Sequence, residues 1–119
     1  WFCDAAVIDA RPGGKGAFTF DQRAARAPVV MPIVVKRLDP PRAWAYRWMQ
    51  PPGAEAAPGN SLLVELQLEP EGRATRLRVV ESGLLAMGWG DADTTAYVDQ
   101  QSRGWAMHLE SLRQFIRST

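Results

Sequence analysis

Apolar and polar positions alternate with a period of two in Trp44 to Trp48, Leu62 to Glu69 and Thr75 to Glu81, and a helical period takes over from Asp93. Val7-Ile8 is a short apolar pair ahead of Asp9-Ala10-Arg11-Pro12-Gly13-Gly14, whose Pro-Gly-Gly run is turn chemistry. Gly16 to Phe20 follows with Phe18 and Phe20 on one face, so the two segments read as a hairpin. Val29 to Leu38 is β-branched and apolar and forms the next strand, with Pro32 implying an edge or a bulge. Asp39-Pro40-Pro41 turns the chain, because proline cannot donate to a sheet ladder. Trp44, Tyr46 and Trp48 then alternate with Ala45 and Arg47, the pattern of a half-buried strand. Gln50 to Asn60, rich in proline, glycine and alanine, is a surface loop.

The clearest hairpin comes next. Leu62, Val64, Leu66 and Leu68 share one face of a strand, Pro70-Glu71-Gly72-Arg73 turns, and Leu77 and Val79 alternate with Arg76 and Arg78 on the way back to Glu81. Gly83 breaks that strand, and Leu84 to Asp91 is an irregular connection. Asp93 is the expected N-cap of a helix. Tyr97, Gln101, Trp105, His108, Leu112 and Phe115 fall along one stripe of it, with Glu110, Arg113, Gln114 and Arg117 opposite. Gly104 costs a helix about 1 kcal/mol relative to alanine, so close packing or a break is expected there. Five or six antiparallel strands followed by one long helix make an α+β fold, in which the helix covers the apolar face of the sheet.

A chain of 119 residues is read as a single domain, 1–119, and 46% hydrophobic residues supply a core. Fourteen basic against thirteen acidic residues leave a net charge of +1, scattered rather than clustered. That balance gives no electrostatic reason to expect nucleic acid or an anionic membrane as partner. Cys3 is the one cysteine, so there is no internal disulfide and no Cys/His set with zinc spacing; a reducing, cytoplasmic location is expected, with no metal and no cofactor. No apolar run has the length of a membrane span, and no signal-peptide pattern opens the chain. Trp1-Phe2 is an abrupt start without an initiator methionine, which suggests a trimmed form of a longer protein.

Trp1-Phe2, Asp9 to Gly14, Leu38 to Arg42 with Tyr46-Arg47-Trp48, Leu68 to Gly72, Thr75 to Gly83, and Gly104-Trp105 opening a leucine-rich helix form an ordered set across nearly the whole chain. In that set the chain resembles the bacterial relatives of the C-terminal domain of Hsp90-ATPase activators (activator of Hsp90 ATPase homologue 1-like), within the START-like, SRPBCC or Bet v 1-like superfamily. The resemblance implies a helix-grip fold, a curved antiparallel sheet wrapped around a long C-terminal helix with a cavity between them. It also implies one strand and two short helices ahead of Trp1-Phe2. Without them the sheet has a free edge, which makes a homodimer an expectation.

Period two carries Glu81 inward with Leu77 and Val79, and the helical stripe carries His108 inward three residues after Trp105. A Glu81–His108 pair across the cavity would satisfy both groups and would constitute an acid/base pair. The plainer alternatives are a solvent-exposed strand-end Glu81 and a core His108. Trp44, Trp48, Trp89 and Trp105 are candidates for cavity walls, with Trp89 between two glycines as a rim or gate; core filling is the alternative. Arg47, Arg76 and Arg78 read as an outer sheet face paired with Glu65, Gln67 and Glu69. Gly13-Gly14-Lys15-Gly16 lacks phosphate-loop spacing and reads as a turn, and no serine sits in a nucleophile elbow. The reading that follows is a domain binding an apolar or amphipathic small molecule, with Trp48, Glu81, Trp89, Trp105 and His108 at the site. The alternative is a cyclase-, hydrolase- or lyase-like enzyme using Glu81 or His108, and a chaperone-associated role ranks third.

Overall fold

The computed structural model describes residues 1–21 and 27–118. Six strands form one antiparallel meander in chain order: β1 (Ala5–Ile8), β2 (Lys15–Phe20), β3 (Val29–Asp39), β4 (Ala43–Trp48), β5 (Leu62–Glu71) and β6 (Ala74–Ser82). A 3-10 turn at Leu85–Met87 leads into α1 (Asp91–Arg117), which lies across the inner face of the sheet. This is the expected α+β helix-grip arrangement.

Two of the turns are explained by their glycines. Gly14 packs so closely on the Asp9 backbone that a Cβ there would collide with the Asp9 carbonyl oxygen. Gly72 has φ 62° at the first position of a two-residue turn between Glu71 and Ala74, where hairpins favour glycine. The turn is therefore tighter than its composition suggests, and Pro70 pairs with Thr75 inside the ladder. Pro32 lies in a strand that is interior by order, but β3 pairs with β4 only from Ile33 onward. Pro32 thus sits where β3 has β2 alone beside it, the local edge that a missing N–H tolerates. A bulge between Val35 and Arg37 shifts the register on the β4 side.

The inner face carries the core. Phe18, Ile33, Tyr46, Trp48, Leu62 and Val64 are buried against one another. The helix contributes no fully buried residue. Its backbone stands off from the strands, and long side chains bridge the gap. The helix begins at Asp91, with Gly90 at the N-cap and no side-chain cap, so Asp93 is a first-turn residue rather than the cap. There its charge, like that of Asp91, still favours the positive end of the helix. Among the described residues, no helix is long and apolar enough to cross a membrane.

Candidate functional site

The site grows from one row of residues across the sheet. Val35 faces Tyr46, Tyr46 faces Val64, and Val64 faces Glu81. A carboxylate thus ends an otherwise hydrophobic row, directly beneath the helix. A partly buried carboxylate needs partners, and Glu81 has four. Oε2 accepts hydrogen bonds from Trp48 Nε1 and from the Tyr97 hydroxyl, both at 2.8 Å. Oε1 accepts from Gln101 Nε2 at 3.1 Å and from Trp105 Nε1 at 3.3 Å. An ionised carboxylate offers about four lone-pair sites, so these donors fill it.

Three of the donors stand on α1 at intervals of four residues, which places Tyr97, Gln101 and Trp105 on one helical face. The fourth, Trp48, comes from the end of β4. Glu81 therefore ties two strands and the helix together at one point. All four donors are neutral, and among the described residues no cationic side chain forms an ion pair with Glu81; the ion pairs lie between exposed side chains. Burial pushes the Tyr97 phenol pKa up, and the charge of Glu81 pushes it further, so Tyr97 keeps its proton and remains a donor.

The expected Glu81–His108 pair does not form. His108 lies one turn beyond Trp105, about 4.5 Å further along the axis. There it packs against the ring of Phe2 at 4.9 Å and that of Trp105 at 6.3 Å. Burial lowers its pKa, and a hydrogen bond to the Trp1 backbone opposes that shift. Trp48 is buried in an aromatic group with Phe18, Tyr46 and Trp105. Phe2 stacks almost parallel on Trp105 at 5.3 Å. Trp89 backs Tyr97 at 5.1 Å instead of lining the space beside Glu81. Arg47 is held by Ser61, through the backbone oxygen and Oγ at 3.3 Å, and not by a cross-strand carboxylate.

Two cavities flank the Glu81 tether. The first, about 450 Å³, is walled by Val79, Glu81, Leu84, Tyr97, Trp105 and Leu109 among others. The second, about 490 Å³, lies among Phe20, Met31, Trp48, Met49, Trp105 and His108, and Gly104 forms part of its wall. The helix runs unbroken through Gly104, and beyond the adjoining residues and the helix's own backbone nothing lies within 4 Å of where its Cβ would stand. Neither close packing nor a break accounts for this glycine, because its missing side chain opens onto the second cavity. Met49 holds φ at 77°, a conformation bulky residues rarely adopt, where the chain leaves β4 beside that cavity. A third cavity of about 490 Å³ lies toward the far end of the helix, among Leu38, Trp44, Leu66, Leu77 and Leu112.

Of the residues expected at the site, Trp48, Glu81 and Trp105 come together directly, His108 flanks the second cavity, and Trp89 stands behind Tyr97. Tyr97 and Gln101 were expected on the inward stripe but not as ligands of Glu81. The available signal was their spacing. Residues 97, 101 and 105 each carry an N–H or O–H donor, and they face the one acidic residue on the inner side of the last strand. Among the described residues no cluster of metal-ligating side chains occurs.

The chain matches, over residues 1–117, the family described as Activator of Hsp90 ATPase homolog 1-like protein. No curated protein and no solved structure matches it. The chain therefore belongs to the activator of Hsp90 ATPase homolog 1-like family, within the START-like superfamily.

Proposed function

We propose that this domain binds an apolar or amphipathic small molecule between the sheet and α1, in the cavities that flank Glu81. The observation that carries the reading is the standing-off of the helix. Two spaces of about 450 and 490 Å³ adjoin one polar tether, with walls that are otherwise largely aliphatic and aromatic. Ligand sites fall in this size range and have this composition, with a few fixed polar groups for orientation. Family membership points the same way, since it implies a START-like ligand-binding domain. Proton transfer by Glu81 is disfavoured by its surroundings, because neutral donors occupy its lone pairs and no imidazole is paired with it.

The test is displacement of a neutral fluorescent probe, N-phenyl-1-naphthylamine, together with native mass spectrometry of protein purified gently from its own cells. The expected results are saturable probe binding, weakened by Gly104→Leu in the second cavity or Ala106→Phe at the first, and an added mass that is lost on denaturation. Probe binding that is unsaturable, or indifferent to both substitutions, would remove the proposal.

A further inference from the structure

We infer that the first cavity selects organic ammonium compounds, cations with an alkyl or aryl body; the inference rests on the ligand-binding reading above. Among the described residues, Glu81 is the one charged residue in the wall of that cavity, and no cationic side chain lines it. Its four partners are neutral, so hydrogen bonding satisfies the oxygens while the net negative charge stays in place. Charge–charge attraction strengthens as water is excluded, and a partly buried carboxylate in an apolar pocket favours a positive guest over a neutral one and disfavours an anion.

The remaining wall fits the same guest. Tyr97 and Trp105 line the cavity, and a cation that reaches an aromatic face is attracted to it. Gln101 donates its amide nitrogen to Glu81, which leaves its carbonyl oxygen as an acceptor. Val79, Leu84, Val98 and Leu109 supply the apolar surface for the body of the molecule. A bound cation need not displace any of the four donors, because its attraction to the carboxylate acts through space.

The experiment is competition against N-phenyl-1-naphthylamine by three compounds sharing one chain: octyltrimethylammonium, octanol and octanoate. In the wild-type protein the cation is expected to compete about tenfold better than the alcohol, and the carboxylate worst. Glu81→Gln is expected to bring the cation and the alcohol within about threefold of each other, and Ala106→Phe to weaken the cation. The wild-type rank order decides the matter alone if Glu81→Gln does not fold. A protein that binds the neutral probe but ranks octanol or octanoate at or above the cation overturns this inference and leaves the ligand-binding reading standing. Cation preference that survives in folded Glu81→Gln overturns it as well. Failure of the probe and all three competitors to bind overturns both.

Discussion

The two ends of the space beneath the helix are built on different principles. Around Glu81 the helix is held by directional bonds, four donors converging on two oxygens. Around Leu112 it faces Leu38, Trp44, Leu66 and Leu77 across a cavity of about 490 Å³ whose wall is almost wholly apolar. Apolar contact is non-directional and tolerates sliding and rotation. Hydrogen bonds weaken steeply with misalignment. One carboxylate therefore fixes the rotation and height of a 27-residue helix over the sheet, while the leucine end offers only apolar surface that does not specify position. The cavities beside Glu81 keep a defined shape for the same reason: a bridge between two layers holds them apart as well as together.

The largest difference between the two ends should appear on truncation. Glu81→Ala leaves two indoles, a phenol and an amide without their acceptor. The expected loss is about 3 kcal/mol, given that hydrogen bonds to charged groups contribute about 1.5–3 kcal/mol each and that these groups can recover some water. Leu112→Ala, at a partly exposed position of the far end, should cost about 1–2 kcal/mol. Urea denaturation of the two variants measures both, and equal losses would erase the contrast.

A smaller effect of opposite sign is expected at Gly104. Its Cβ position is empty, so Gly104→Ala should stabilise the protein by about 1 kcal/mol through helix propensity. A rise in Tm would show that this glycine is retained at a cost to stability and leaves room in the second cavity. A fall would mean that the helix must flex at this point.

The smallest effect concerns His108. Its folded pKa lies below the ordinary value because burial disfavours the charged ring. The unfolded chain therefore binds more protons in the window just below the ordinary histidine pKa, and His108 makes stability rise with pH through that window and level off above it. His108→Gln should flatten this part of the pH profile of Tm relative to wild type. An unchanged slope would show that the imidazole charges as freely in the folded protein as in the unfolded chain.

Much of the architecture was legible because local chemistry dictates it. The Leu62 and Thr75 strands announce themselves by alternation around a Pro-Glu-Gly-Arg turn, and only the length of that turn was overestimated, since Pro70 still pairs with Thr75. The helix cap was read three residues late, because Asp93 has the right side chain for a cap but Gly90 has the extended backbone that a cap requires. The inward direction of Glu81 followed from period two alone. Its partners did not, because the imidazole that looked complementary lies one turn past the position that reaches the carboxylate.

The sequence by itself determined the order of the strands and the helix, the faces they bury, and the presence of a lone acidic residue under an aromatic stripe. These depend on side-chain periodicity and turn residues, which act over a few positions. Only the tertiary structure decided that Trp48, Tyr97, Gln101 and Trp105 share Glu81, that Trp89 stands behind Tyr97, and that Gly104 opens a cavity. Those facts depend on how a rigid helix docks over a sheet whose contacting residues lie 16 to 33 positions apart in the chain. Docking is set by the summed fit of all the layers, and no local pattern encodes it.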